Sequence, residues 1–356
     1  MNMSIASLLG HPWTLGNLLV PNRMVMAPMS TNLADQHGHV TARLVRHLER
    51  RAEGGCGMII IESAAVDALK GGQGRTLRLD REAGLASLGN LVQQIQSCGA
   101  KTVAQLWHAG PRAGVSDGLP LSPSGTIPGF SVSQALSRPA IDTIVKQFIA
   151  AGDRAVRAGF DALEIHAAHG YLLHHFIDRQ TNRRQDVYGG SIAARYRVLE
   201  EIRQGLGSMH PNTPVLVRLS LQFDDDFPAI AAAVEDAGFD AVDVRTGFSS
   251  MAKTTANTPV SSGYTLELAR KLRANTSLPL LTGGRILTPR EAAKAIDDCG
   301  LDAIVLGRPL LADPDWADKA LNDGNIIPCR YDCDPSCYSE FKRGLHLHCV
   351  YYGRPS

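Results

Sequence analysis

Four consecutive apolar residues, Met58-Ile59-Ile60-Ile61, lie within a candidate β-strand, Gly57–Ala64. Side chains at neighbouring positions of a strand point to opposite faces, so both faces of this strand must be covered by apolar structure. A parallel sheet with helices packed on its two faces provides that cover. The run therefore predicts an α/β protein built on parallel strands.

Similar apolar segments recur along the chain and alternate with amphipathic helical stretches. The predicted strands are Met24–Met29, Gly57–Ala64, Lys101–Leu106, Ala162–His166, Val215–Leu219, Ala241–Val244, Leu278–Thr282 and Ala303–Leu306. The predicted helices are Ala42–Glu53, Leu85–Ser97, Ile141–Ala158, Ile192–Gly207, Thr265–Ala274 and Pro289–Ile296. Several glycines precede the next strand, as helix C-terminal caps do: Gly99, Gly159, Gly238 and Gly300.

Eight such units can form a closed barrel or an open, doubly wound sheet. An open sheet that binds a dinucleotide has a Gly-x-Gly-x-x-Gly motif directly after its first strand. The nearest glycine run here, Gly54-Gly55-Cys56-Gly57, precedes a strand, and the sequence has no P-loop motif. We therefore predict a (β/α)8 TIM barrel over residues 1–325, followed by a short Cys-rich segment over residues 326–356.

Charge and hydropathy patterns exclude several classes of protein. The 356 residues carry a net charge of +1, with acidic and basic residues interleaved. Nucleic-acid and anionic-membrane binders need a concentrated basic field, so neither partner is expected. The apolar N-terminal stretch is interrupted by His11, Pro12 and Gly16, which is unlike a signal peptide or a membrane span. A cytoplasmic protein is expected.

Polar residues near the carboxyl ends of barrel strands are the candidates for an active site. The seventh strand runs into Gly283-Gly284-Arg285 and the eighth into Gly307-Arg308. Glycines let backbone N–H groups approach a phosphate, and arginine can hold phosphate oxygens in a forked pair. Because both loops carry these features, they predict a phosphate site.

Three further strands are predicted to end in polar side chains at the same mouth. Gln105 ends the third strand, and its amide suits the pyrimidine edge of a flavin. Arg218 ends the fifth, where a cation would stabilise negative charge on a reduced flavin. His166 and His169 end the fourth, with Tyr171 close by. These three side chains could hold a carbonyl oxygen, bind a metal or fill the core.

Five separated motifs resemble the Old Yellow Enzyme / NADH:flavin oxidoreductase family. They are Asn22–Met29, His166–Tyr171, Asn182–Ser191 with Arg195 and Arg197 after it, Gly283–Arg285 and Leu306–Arg308. The resemblance covers residues 10–320. It implies FMN across the barrel mouth, NADH or NADPH as electron donor, and a small unsaturated carbonyl compound as substrate.

The resemblance also implies a role for each matching position. Most of them would bind FMN: Pro28, Met29, Ser30, Ala64, Gln105, Arg218, Gly283, Gly284, Arg285, Gly307 and Arg308. His166 and His169 would hydrogen-bond the substrate's carbonyl oxygen. Tyr171 would give a proton to the α-carbon while flavin N5 delivers hydride to the β-carbon.

Four of the seven cysteines crowd the end of the sequence: Cys329, Cys333, Cys337 and Cys349. In a reducing compartment such a group indicates metal ligation before disulfides. Its spacing resembles the [4Fe–4S] motif of the branch with 2,4-dienoyl-CoA reductase, enoate reductase and trimethylamine dehydrogenase. The first gap has three residues where relatives have two. A zinc site or unligated thiols are the alternatives.

The favoured function is that of an ene-reductase acting on the activated C=C bond of an enone or enoate. The alternative is a dehydrogenase, desaturase or amine demethylase that passes electrons through the cluster to a partner. An aromatic content of 6% offers few residues for an amine cage. A separate reductase or electron carrier and a homo-oligomer are the protein partners considered. Gly247–Met251 lacks the extra histidine of dienoyl-CoA reductases, which disfavours a dienoyl-CoA substrate.

Overall fold

Eight parallel strands close into a barrel in the computed structural model. The structure describes residues 4–67, 75–114, 118–130, 132–246, 263–331, 333, 337 and 344–350. The barrel strands are β1 (Met24–Met26), β2 (Met58–Ala65), β3 (Lys101–Trp107), β4 (Ala162–Ala167), β5 (Val215–Leu221), β6 (Ala241–Thr246), β7 (Leu280–Thr282) and β8 (Ala303–Leu306). Each pairs with its neighbours in sequence, and β8 pairs with β1 to close the ring. The predicted TIM barrel is confirmed.

Helices cover the outside of the barrel. They are α1 (Ala42–Glu53), α2 (Leu85–Ser97), α3 (Arg138–Arg157), α4 (Ile192–Met209), α5 (Phe227–Asp236), α6 (Leu266–Arg273) and α7 (Pro289–Cys299). Shorter helices span Ile5–Leu9, Gly110–Arg112, Leu172–Ile177, Arg308–Ala312 and Trp316–Leu321. Outside the barrel, short strands span Trp13–Leu15, Leu18–Val20, Leu77–Arg78, Leu121–Ser122 and Gln134–Ala135.

The predicted bounds of α1, α2 and β8 agree with the structure. Proline accounts for two differences, because its ring removes a ladder donor. The first strand ends at Met26, before Pro28, and the seventh begins at Leu280, after Pro279. The four glycines predicted to follow helices all have a positive φ, between 61° and 94°. Gly300 itself caps α7.

Two residues predicted at strand ends lie inside their strands. Gln105 is followed by two more residues of β3, and Arg218 by three more of β5. The predicted strands ended one residue after Gln105 and one residue after Arg218. In the structure, the side chains of Gln105 and Arg218 point into the barrel, where they contact other polar groups. Helix α5 and the N-terminal hairpin were not predicted.

The barrel interior is apolar at its amino end and polar at its carboxyl end. At the amino end, Val25, Met58 and Leu216 pack against Trp13 of the hairpin Trp13–Val20. Trp13 Nε1 donates to Asn22 O over 3.1 Å, which fixes the hairpin beneath the barrel. The functional groups therefore lie at the other end, above a closed apolar floor. None of the helices in the described part of the chain has the length and apolar character needed to span a membrane.

Candidate active site

A layer of four buried charges lies inside the barrel, on β4, β5 and β6: Glu164, Arg218, Asp243 and Arg245. Side chains alternate along a strand, and Leu216 and Ala241 line the barrel floor. The charged residues two and four positions later therefore face inward as well. Arg245 Nη2 lies 2.8 Å from Asp243 Oδ1. Arg218 lies 3.4 Å from Asp243 and 3.9 Å from Glu164.

Some donors of Arg218 have no hydrogen-bond partner among the described residues. Within the described residues, its Nε and Nη1 atoms and Oε1 of Glu164 make no hydrogen bond. A buried polar group without a partner costs about 1–3 kcal/mol, so these atoms fit a site that a ligand completes. Burial lowers the pKa of Arg218, and Arg245 lowers it further. Burial raises the pKa of Glu164 to about 7, against the opposing effect of Arg218.

The amide of Gln105 is held from both sides. Ser63 Oγ donates to its oxygen, and its nitrogen donates to Glu164. An amide has two N–H donors and two lone pairs on oxygen, so one of each remains for a ligand. Ala64, also predicted in the cofactor site, is buried beside Ser63 in β2. The orientation of the Gln105 amide is thus fixed before any cofactor binds.

The segment after β1 lies beside the end of β8. A Cβ atom at Gly307 would lie 3.3 Å from Met29 Sδ. Pro28 and Met29 are half-buried, whereas Ser30 is exposed. Thr31 holds this segment in place, because its backbone N–H and its hydroxyl both donate to the buried carboxyl group of Glu62. Burial raises the pKa of Glu62 to about 7.

The two predicted phosphate loops meet at one place. A Cβ atom at Gly283 would lie 2.0 Å from the carbonyl oxygen of Val305, so only glycine fits between β7 and β8. Thr265 Oγ1 donates to the Gly283 carbonyl and fixes the turn. Arg285 and Arg308 both lie against the ring of Tyr331, with their Cζ atoms 5.1 Å and 4.0 Å from its centroid. The structure therefore brings together the two arginines that the sequence predicts.

The two histidines and the tyrosine form a compact group. The His166 ring is 5.3 Å from His169 and 5.1 Å from Tyr171, centroid to centroid. Trp107 packs edge-on against Tyr171 at 5.1 Å. Burial lowers the pKa of both histidines well below its usual value, and the charge of Arg218 lowers it further. Neutral imidazoles that can donate one N–H each therefore face the same space as a phenol.

The Cys-rich segment lies against the barrel mouth. Leu311, Ala312, Cys329, Leu347 and Cys349 form a small buried group, here called the tail cluster, and Cys337 packs on it. Leu347 N donates to Thr31 O over 3.0 Å, which ties this segment to the loop after β1. Burial raises the pKa of Cys329 to about 11, and Cys337 and Cys333 add to that rise. Among the described residues, no three His, Cys, Asp or Glu side chains are arranged to hold a metal.

Several residues of this site were not predicted from the sequence: Glu62, Thr31, Trp107, Asp243 and Arg245. The sequence could have identified Asp243 and Arg245, because they alternate with valines in Ala241–Thr246. This alternation places both side chains on the inward face of β6. Glu62 follows directly after the apolar run of β2. The segment Gly247–Met251, which lacks the extra histidine, lies outside the described residues.

Comparisons with known proteins agree with this geometry. Residues 9–325 match the model of the NADH:flavin oxidoreductase / NADH oxidase family. An NADH oxidase from Thermoanaerobacter brockii is 36% identical over 94% of this chain and 54% of its own length. An NADPH dehydrogenase from Halalkalibacterium halodurans is 32% identical over 90% of this chain and 96% of its own.

A solved structure extends the comparison beyond sequence. A 2-naphthoyl-CoA reductase in complex with 2-naphthoyl-CoA superimposes with a TM-score of 0.87 at 26% identity. The match covers 97% of this chain and 56% of that chain. The chain thus spans about half the length of the first curated relatives it matches.

Proposed function

Because this chain belongs to the NADH:flavin oxidoreductase / NADH oxidase family, we propose that it is an FMN-dependent ene-reductase. It would reduce the activated C=C bond of a small enone or enoate with electrons from NADH or NADPH. The match to the family model confirms the family that the five motifs predicted. One observation carries the finer proposal: phosphate-type loops and a neutral His–His–Tyr group converge on one barrel mouth.

The residues at the mouth fit FMN by their chemistry. Arg285 and Arg308, with Gly283, Gly284 and Gly307, would hold the terminal phosphate by charge-assisted pairs and close backbone approach. Arg218 and the remaining donor of Gln105 would bind the pyrimidine edge, which would satisfy the buried guanidinium atoms. Pro28, Met29, Ser30 and Ala64 would border the ring. When bound, the flavin supplies hydride from N5.

The side chains above this position suit a carbonyl substrate. His166 and His169 are kept neutral by burial, so each can donate one hydrogen bond to the substrate's oxygen. Those bonds draw electrons away from the conjugated C=C bond and stabilise the enolate charge that develops. Tyr171, held by Trp107, would give its proton to the α-carbon.

The environment of Tyr171 favours this function over amine oxidation. The guanidinium of Arg112 lies 5.6 Å from the Tyr171 ring and 5.2 Å from the Phe130 ring. A cationic amine would use such aromatic faces, and a fixed cation beside them repels it. A substrate that develops negative charge is favoured there instead. The second candidate function is dehydrogenation with electron transfer to a partner, and the position of Arg112 restricts it to neutral substrates.

Recovery of the flavin tests the cofactor assignment. We expect one non-covalent FMN per chain, and Arg285→Ala and Arg308→Ala should each weaken its binding roughly 10- to 100-fold, since each removes a charge-assisted pair. The surface variant Arg270→Ala is the matched control. Equilibrium titration of flavin-stripped protein provides the measurement. Recovery of FAD would contradict the terminal-phosphate assignment.

We further propose that residues 326–356 form an iron–sulfur segment beside the barrel of residues 1–325. Cys329 and Cys349 share the tail cluster, on which Cys337 packs, and the charge of Cys333 acts on Cys329. Four thiolates suit a [4Fe–4S] cluster. Such a cluster would pass electrons to or from a separate reductase or carrier.

Metal analysis tests this segment. Anaerobically purified protein should contain about four irons and about four acid-labile sulfides per chain. Cys333→Ser, Cys337→Ser and Cys349→Ser should each lose them, because each removes a thiolate ligand. Cys98→Ser should not, because Cys98 follows the end of α2 and lies outside the tail cluster. Zinc without sulfide would contradict the proposal. A cluster that survives Cys329→Ser would remove that residue from the ligand set.

A further inference from the structure

Tyr331 occupies an unusual position between the Cys-rich segment and the barrel. It lies between Cys329 and Cys333, in the gap that is one residue longer than in the resembling motif. Its backbone adopts a left-handed φ of 58°, which few residues other than glycine take up. Its ring packs on the tail cluster and is half-buried. The local conformation is therefore held by contacts rather than by backbone preference.

The ring of Tyr331 also contacts the two arginines of the phosphate loops. Arg308 Cζ lies 4.0 Å and Arg285 Cζ 5.1 Å from the ring centroid. Both distances are within the roughly 6 Å over which a cation is attracted to an aromatic face. Arg308 follows β8 and Arg285 follows β7, so one side chain from the C-terminal segment contacts both loops.

We propose that Tyr331 is a positioning residue for the FMN phosphate. Its ring holds the two guanidinium groups in place, so that their N–H donors are arranged before the phosphate arrives. A long arginine side chain loses rotamer freedom when it binds, and an aromatic surface that has already ordered it reduces that loss. The inference rests on the proposed function, because it assumes that Arg285 and Arg308 bind phosphate.

This role is distinct from packing. If the ring acts only on the arginines, its removal should weaken ligands with a phosphate and spare ligands without one. Riboflavin has the isoalloxazine ring and ribityl chain of FMN but no phosphate. The ratio of FMN to riboflavin affinity therefore reports the phosphate site alone, and riboflavin binding shows that the rest of the mouth is folded.

Titration of the flavin-stripped full chain tests the proposal. Tyr331→Leu should raise the dissociation constant for FMN roughly 5- to 30-fold, the range expected for a partly buried cation–π contact. Its dissociation constant for riboflavin should stay within about twofold of the wild-type value. Tyr331→Phe keeps the ring and should restore FMN binding to near the wild-type value.

Three results would overturn the proposal. Unchanged FMN affinity in Tyr331→Leu would mean that the ring does not order the arginines. Tighter FMN binding would mean that the ring competes with the phosphate. Equal losses for FMN and riboflavin would show a general structural effect. Arg308→Ala in the same titration distinguishes failure of the inference from failure of the proposed function. If Arg308→Ala also leaves FMN affinity unchanged, the phosphate assignment of the proposed function fails together with the inference.

Discussion

Replacing Tyr171 with phenylalanine should slow the reoxidation of reduced flavin by an enone about 10²- to 10⁴-fold, the range for loss of a general acid. The phenyl ring still fills the space beside Trp107 and His166, so packing at 5.1 Å from each ring is retained. Reduction of the flavin by its nicotinamide donor needs no proton from this residue and should change little. Stopped-flow absorbance of the two half-reactions measures both effects.

A matched control removes a phenol elsewhere. Tyr188 donates to Glu201 over 2.9 Å, on the outer side of the barrel. Tyr188→Phe should leave the rate of both half-reactions near the wild-type value. If Tyr171→Phe also leaves the reoxidation rate unchanged, the proton comes from solvent or from another side chain.

Replacing Asp243 with alanine should lower the free energy of unfolding by about 3–5 kcal/mol, the range for removal of one partner from a buried ion pair. Asp243 is fully buried and lies within 3.4 Å of Arg218 and 2.8 Å of Arg245. Its loss would leave two buried cations with Glu164 as their remaining close carboxylate in the described layer. Urea unfolding of the flavin-stripped protein gives the measurement.

The same substitution in an exposed pair calibrates that result. Asp224 pairs with Arg179 at the surface, where both side chains are about half exposed or more. Asp224→Ala should cost roughly 0–1 kcal/mol, because solvent screens the pair. Equal losses for the two variants would show that the buried layer does not depend on its charge balance.

The fold was accessible from the sequence because its elements repeat. Apolar runs such as Met58–Ile61 need cover on both faces, and the glycines after the helices mark where each unit ends. The ends of β3, β5 and β6 were harder to predict, because these strands continue beyond residues whose polar side chains point into the barrel. The hairpin Trp13–Val20 gave no repeating pattern, and only its packing beneath the barrel explains it.

The candidate site was partly accessible for a related reason. Arg285, Arg308 and the His166–Tyr171 group lie where the motifs predicted them, at the carboxyl end of the barrel. Their assigned roles stay predictions. The Asp243–Arg245 pair lies on the inward face of β6. The predicted strand ended too early to include both residues. The contact of Tyr331 with both arginines joins residues that are far apart in the chain, and no local pattern reports it.

Anaerobic mixing with nicotinamides, followed by addition of an enone, tests the central claim most directly. Visible absorbance should show the oxidised flavin bands bleach with NADH or NADPH, and 2-cyclohexenone should then restore them. A flavin that neither nucleotide bleaches, or one that the enone fails to reoxidise after bleaching, would contradict an ene-reductase that uses NAD(P)H.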